Sequence, residues 1–326
     1  MSPSVRVVVA AFDAAPTLPA LFDALRDQDV LEPFEVVVVD DGSTDATGDI
    51  ARSRGARVLR QENRGPAAAR NTGWRPEGAR WILFTDSDCV PRRDWVRRML
   101  EVLRADAQVV TGTYGIANRG QWLAQAIHDE IVWRHSRMRE YVEFAGSFNL
   151  GAERSALEAV GGFDETFRSP SAEDNDLSYR WRDRGVRIRF VREAIVDHRH
   201  PTALAGYLRE QSRHGYWRVM LYRSHPDRLR GDGYAGPVDF AAPILALASA
   251  AALPFSLASS RAFGFACLCF VLVVVLQNLL AARVCIHTGR PSGLALVGVG
   301  TLRSYARAWG LARGVVDLVR GKRGPR

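Results

Sequence analysis

Apolar positions follow two alternating rhythms through the first hundred residues. Val5–Ala11, Phe34–Val39 and Arg80–Phe84 are nearly continuous apolar runs, broken only by Arg6, Glu35 and the leading Arg80, and Ala56–Leu59 is a shorter one. Between them apolar side chains recur three and four apart, as in Leu18–Leu25 and Trp95–Leu103. The runs predict strands buried on both faces and the spaced segments predict amphipathic helices. Thr17 before Leu18, and Pro66 before Trp74, are helix-start signals for residues 18–25 and 66–74. The alternation predicts an α/β domain built on a parallel sheet with helices on both faces.

From about residue 110 the pattern is mixed. Gln121–Arg139 reads as a helix and Gly161-Gly162-Phe163-Asp164 as a turn. Asp174–Arg184 reads as a helix ended by Gly185, and Val186–Val191 as a half-exposed strand.

The last third is different. Phe240–Ser260 and Ala262–Ala282 carry no charged residue and are separated by Arg261. Each is long enough for a helix to cross the ~30 Å hydrocarbon layer, so the pair predicts a transmembrane hairpin. Pro243 and Pro254 are tolerated in such helices. Residues 302–320 place Arg303, Arg307, Arg313 and Arg320 on one side of a helical wheel and an apolar set on the other. The spacing predicts an amphipathic basic helix. The expected organisation is a catalytic domain over 1–205, a helical connector over 206–237, the hairpin over 238–283 and a basic tail over 284–326.

Charge changes this picture in one respect. The chain of 326 residues has a net charge of +8, and residues 283–326, with nine basic side chains against Asp317, carry all of it. The body is neutral, which excludes a basic nucleic-acid-binding domain. Arginines after the second span place the tail, and with an even number of crossings the catalytic domain, on the cytoplasmic face of the plasma (inner) membrane. The four cysteines have no zinc or disulfide spacing.

Candidate chemistry sits where the strands end. The run Trp81–Phe84 leads through Thr85 into Asp86-Ser87-Asp88, two carboxylates that leave an extended chain on the same side. Hard oxygen donors so placed can share a divalent ion, and an ion with phosphate oxygens in its remaining positions holds a nucleoside diphosphate. Asp40 and Asp41 follow the strand over Phe34–Val39, at the carboxyl edge where parallel sheets bind ligands.

The motifs in order are Val37-Val38-Val39-Asp40-Asp41-Gly42-Ser43-Thr44-Asp45, Glu62-Asn63-Arg64-Gly65-Pro66-Ala67-Ala68-Ala69-Arg70-Asn71-Thr72-Gly73, Asp86-Ser87-Asp88, Gly161-Gly162-Phe163-Asp164-Glu165 and Glu173-Asp174-Asn175-Asp176-Leu177-Ser178. Together they resemble glycosyltransferase family 2, the inverting enzymes with the GT-A (Rossmann-like) nucleotide-sugar fold, over residues 5–205. The resemblance implies a nucleoside-diphosphate sugar donor of UDP, GDP or dTDP type and a divalent metal, Mn²⁺ or Mg²⁺. It implies that Asp40 and Asp41 meet the base and ribose, Arg70 the diphosphate or base, and Asp86 the ribose or a metal-bound water. Asp88 and His198 would hold the metal, His200 being the other histidine of that segment. Asn149 would meet the donor sugar. Phe12 stands, with Asp13, where the family more often has Tyr-Asn, and its ring can still stack on a base.

Inverting transfer needs a base for the acceptor hydroxyl and charge stabilisation at the leaving diphosphate. By position in the acidic motif Asp174 is the base, with Glu173 orienting it or meeting the acceptor. Gln211-Ser212-Arg213-His214-Gly215 departs from the Gln-x-x-Arg-Trp of processive synthases, so transfer of a single sugar is expected. The membrane segments suggest a lipid-linked or cell-envelope saccharide acceptor. Two other readings are a nucleotidyltransferase and a non-catalytic membrane scaffold of the same fold. The absence of a basic residue in Ala10–Pro16 opposes the first, and the presence of both Asp88 and Asp174 opposes the second.

Overall fold

A computed structural model describes residues 3–230 and 236–321. Residues 231–235 of the expected connector and 322–326 of the expected tail lie outside the described residues. In chain order the elements are β1 (Val5–Ala11), α1 (Leu18–Arg26), β2 (Phe34–Asp40), α2 (Thr47–Ser53), β3 (Arg57–Arg60), α3 (Pro66–Trp74), β4 (Trp81–Asp86), β5 (Cys89–Pro91), α4 (Trp95–Ala105), β6 (Val109–Ile116), α5 (Trp122–Ser136), β7 (Tyr141–Val142), β8 (Asn149–Glu153), α6 (Arg154–Val160), α7 (Glu173–Asp183) and β9 (Ile188–His198). Four long helices follow: α8 (Leu204–Ser224), α9 (Pro237–Ala252), α10 (Ser260–Thr288) and α11 (Ala295–Val319).

Two compact units form. One joins the residues up to Ala117 with Met138–Arg199; the other joins Asn118–Arg137 with the residues from His200 onward. The helix read from Gln121 onward therefore belongs with the C-terminal helices.

The first unit holds one mixed sheet in the order β3-β2-β1-β4-β8-β6-β9-β5, with β7 paired to β9. Its first four strands are parallel, as the strand–helix rhythm predicts. The far half departs from the all-parallel expectation, because β8 runs antiparallel to both β4 and β6. Gly151 in β8 makes room there: a Cβ on it would come within 2.8 Å of Val110 and 2.9 Å of Leu83.

Adjacent strand residues feed opposite faces. Val7 and Val9 pack with Leu18, Leu21, Trp95 and Met99 of α1 and α4. Val8, Ile82 and Phe84 pack with Trp74, Leu157 and Trp181 of α3, α6 and α7. Arg6, the one charge in the β1 run, is 2% exposed. Its guanidinium donates to Glu35 at 2.8 Å and to the carbonyls of Pro76 and Glu77 just past α3. Burial is tolerated because each buried donor finds an acceptor.

In the second unit Pro237–Leu257, comprising α9 and the turn after it, and α10 are long and apolar enough to cross a membrane. Phe255, Leu257, Phe263, Phe265 and Leu268 are exposed on them. The basic helix starts earlier than expected, at Ala295, and two of its arginines face inward. Arg303 is buried and donates to Glu130 at 2.7 Å and Tyr207 at 3.3 Å. Arg307 donates to Gln211 at 2.8 Å, and Arg134 joins Glu130 to Asp239. Burial alone would raise the Glu130 carboxyl, but Arg303 and Arg134 hold it down at about 2. Trp309 and Val319 of the apolar side are exposed, as are Arg313 and Arg320. Helix α11 approaches α8 closely because Gly310 and Gly215 lack a Cβ; a side chain on either would strike backbone of the other helix.

Candidate active site

The first unit gathers its chemistry at the carboxyl ends of β1, β2 and β4 and at the end of β9. Register sets two acids together: Ala11 pairs with Asp40 and Ala10 with Asp86, so both flank the end of β1. Phe12 leaves that end half exposed. Asp13 follows with a positive φ of 46°, and its Oδ1 accepts the Thr44 amide at 2.7 Å.

The paired acids of β2 serve the backbone. Asp40 is 0% exposed; Oδ1 accepts the Ser43 amide at 2.9 Å and Oδ2 accepts from Arg60. Asp40 is thus buried against its own turn and Arg60. Asp41 accepts from the Gln61 side chain at 2.7 Å and from the Arg64 and Gly65 amides at 2.9 Å each. It thereby shapes the loop into α3, and a carboxylate with about four acceptor sites has capacity left for a ligand. Gly65 opens α3 at φ 89°, and a Cβ there would collide with the Arg168 carbonyl. The turn therefore requires glycine.

Arg70, on the first turns of α3, is 4% exposed and lies between two acids. One Nη donates to Asp86 and the other to Glu173, each at 2.8 Å. Its guanidinium also stands over the Phe163 ring, 5.6 Å from the centroid. Burial alone would lower its pKa, but Asp86 and Glu173 outweigh that and raise it. Arg70 thus ties Asp86 to the start of the acidic helix, while its Nε has no hydrogen-bond partner among the described residues. Asn71, next on α3, holds the Gly-Gly-Phe-Asp-Glu segment through the Phe163 backbone and the Glu165 carboxylate.

The acidic motif starts α7. Glu173 is buried; its second oxygen accepts the Ser171 and Ala172 amides at 2.9 and 3.1 Å. Glu173 is thus fixed by Arg70 on one oxygen and by its own loop on the other. Asp174 remains partly exposed, accepting the Asn175 amide at 2.8 Å. Burial, then the charges of Glu173 and Asp86, push its carboxyl up to about 7, against the opposing pull of Arg70 and the Asn175 amide. A carboxylate poised near neutrality has the property a general base needs.

The metal expectation rests on Asp88 and His198. Strand β5 pairs antiparallel with β9 so that Cys89 faces His198. This register sets His198 Nε2 3.5 Å from Asp88 Oδ2. Asp88 Oδ1 lies 3.8 Å from Cys89 Sγ, and one donor atom from each of the three residues falls within 4.8 Å of the others. Burial raises the Asp88 carboxyl, Asp86 adds to this, and His198 opposes it. The carboxylate, imidazole and thiol fit a divalent cation by separation and donor type. Tyr114 stacks on Phe148 at 3.5 Å and meets the His198 ring edge-on at 5.4 Å, fixing the imidazole plane. His200 is not part of this cluster; it is buried in the second unit, 3.3 Å from His128.

Asn149, at the start of β8, is held by its neighbours. It is 0% exposed, and its amide is used up by the Thr113 and Ala194 carbonyls at 3.0 and 2.9 Å and by the Trp95 indole at 2.8 Å. It pins β8, β6, β9 and α4 together. Cys89 escaped the sequence reading because its approach to His198 comes from strand register, and Trp95 because its contact with Asn149 comes from packing of α4 on the sheet.

The model of "Glycosyl transferase family 2" matches residues 6–154, and that of "Glycosyl transferase family group 2" matches residues 81–286, more than half of the chain. The chain is 28% identical over 354 aligned residues to a pre-mycofactocin glycosyltransferase of Mycobacterium tuberculosis, covering 98% of this chain and 72% of that protein. It is 30% identical over 229 residues to a validoxylamine A glucosyltransferase of Streptomyces hygroscopicus, covering 59% of this chain and 54% of the other. The fold is similar to that of the mannosyltransferase PcManGT of Pyrobaculum calidifontis, solved with GDP-Man and Mn²⁺, with TM-score 0.57, 21% identity, and 99% and 88% of the two chains covered. The mixed sheet, the acids at its carboxyl edge and these matches together identify the chain as a glycosyltransferase that belongs to family 2 and has the GT-A fold.

Proposed function

We propose that the enzyme transfers one sugar from a nucleoside-diphosphate sugar to a hydroxyl acceptor with inversion, using a divalent metal and Asp174 as base. One observation carries this reading: the chain Asp86–Arg70–Glu173 links the donor-side acid to the start of α7 through two 2.8 Å contacts, bringing the base next to the donor side. Phe12 and Asp41 take the base end of the nucleotide. Asp88 and His198 hold the metal, which supplies a positive charge against the leaving diphosphate. Asp174 removes the acceptor proton as the hydroxyl attacks from the face opposite the diphosphate. Arg70 and Glu173 hold that helix end in place.

The two apolar helices support a membrane-embedded enzyme with a lipid-linked or envelope-saccharide acceptor, its catalytic domain on the cytoplasmic side. By its name the Mycobacterium relative acts on pre-mycofactocin, so the test includes soluble acceptors. The full chain in detergent is screened by thermal shift against UDP, GDP and dTDP sugars with Mn²⁺ or Mg²⁺, since a ligand of the folded state raises its stability. Transfer is then measured with the stabilising donor. Asp174→Asn is expected to bind donor and fail to transfer, with a β-linked product from an α-linked donor in the wild type. Transfer by Asp174→Asn near the wild-type rate, or a retained anomeric configuration, removes this mechanism. Transfer to soluble acceptors alone removes the lipid-linked assignment.

A further inference from the structure

The residue directly after the second acid of the Asp-Ser-Asp motif is a cysteine, and the fold turns it toward the same point as its neighbours. Cys89 is 0% exposed and forms the first residue of β5. Its Cα partner across the antiparallel ladder is His198. Its Sγ lies 3.8 Å from Asp88 Oδ1 and within 4.8 Å of a donor atom on His198. Two bonds of about 2.0–2.3 Å at a tetrahedral angle set ligand atoms about 3.3–3.8 Å apart, which the Asp88–Cys89 separation meets and which a small turn of the His198 ring would complete.

We infer that Cys89 is a third, soft ligand of the metal site, so that thiophilic divalent ions of the zinc and cadmium class bind there in preference to Mn²⁺ or Mg²⁺. The inference rests on the reading of Asp88 and His198 as a metal pair and adds a donor that pair does not need. Carboxylate and imidazole alone suit Mn²⁺; a thiolate shifts the balance toward softer ions. On coordination the thiol gives up its proton to the buffer and the sulfur lone pair forms the bond to the metal. The consequence is chemical selectivity at the donor site: a soft ion that enters through Cys89 displaces the ion that works with diphosphate oxygens.

The test uses the full chain in detergent and reads binding, not turnover. Cd²⁺ titration of the wild type is expected to give an ultraviolet sulfur-to-cadmium charge-transfer band that saturates at one equivalent. Cys89→Ser is expected to lose that band and at least about tenfold in Cd²⁺ affinity, the scale on which even outer partners tune metal sites. A variant with Cys267, Cys269 and Cys285 all changed to Ser keeps Cys89 and is expected to retain the band, which gives a result even if Cys89→Ser does not fold. Mn²⁺ binding, followed by loss of the free-ion electron paramagnetic resonance signal, tests the parent pair: Asp88→Asn abolishes it if that reading holds. Wild-type Mn²⁺ binding with no cadmium band, or a band lost from the triple variant, or one that survives when Cys89→Ser is added to the triple variant, overturns the role of Cys89 and leaves the metal pair standing. Absence of Mn²⁺ binding in the wild type removes the pair itself.

Discussion

Replacing Asp174 by Asn should stabilise the protein while abolishing transfer, and the size of the effect should depend on pH in a defined window. The Asp174 carboxyl has its pKa raised from the ordinary 3.8 to about 7 in the fold, first by burial and then by Glu173 and Asp86. A group with a raised folded pKa binds its proton more tightly in the native state than in the unfolded one. Native stability is therefore lost as pH rises from about 4 through 7, where the unfolded chain has already released the proton and the folded chain is being forced to. Above pH 7 the penalty is complete. The gap corresponds to at most about 4 kcal/mol. An asparagine keeps the shape and removes the charge, so its advantage over aspartate should be absent near pH 4 and reach a few kcal/mol at pH 8.

Thermal unfolding of the full chain in detergent, wild type against Asp174→Asn at pH 5 and pH 8, measures this directly. The same variant should lose about 10²–10⁴-fold in turnover, the range for a positioned base. In the wild type, kcat/KM should fall about tenfold for each pH unit below 7 as the base takes up its proton. If Asp174→Asn is no more stable than wild type at pH 8, or its advantage is the same at both pH values, the electrostatic account of this helix end is wrong.

Asn149→Ala should cost stability of about 1–3 kcal/mol by leaving the Trp95 indole and two carbonyls without partners, yet leave donor KM unchanged in the folded fraction; a large rise in KM at unchanged stability would support the sugar contact. Glu130→Gln should destabilise the second unit by about 3–5 kcal/mol, read by thermal unfolding, because Arg303 is left buried without its countercharge. Gly65→Ala should lower the unfolding temperature and weaken nucleotide binding, since the backbone at φ 89° admits no Cβ beside the Arg168 carbonyl. Nucleotide binding as tight as wild type would show that this turn does not shape the site.

The sequence revealed the strands and helices of the first half because burial on both faces leaves a continuous apolar trace, as in Val7–Ala11 and Val36–Val39. It also revealed the motif acids. It did not reveal how those acids divide the work. Asp40 and Asp88 each stand at or just beyond the end of a buried strand, yet one is sealed against Ser43 and Arg60 while the other faces His198 across a strand pairing. Nothing in the spacing separates a carboxylate that builds a turn from one that faces an imidazole. Cys89 was invisible for the same reason: its neighbour His198 is more than a hundred residues away, and only the register of β5 on β9 brings them together.

Helix α11 makes the same point about polarity. The helical wheel separates arginines from apolar residues correctly, but a wheel has no inside. Its arginines would face water if nothing nearby carried negative charge. Glu130 on α5 and Asp239 on α9 supply that charge, and Arg303 and Arg307 turn inward to meet it, leaving Trp309 and Val319 exposed. Burying such a network against water is costly unless each charge is paired. Exposed apolar side chains on α9, α10 and α11 are of the kind a hydrocarbon phase would cover, while the buried charges among these helices pair with one another.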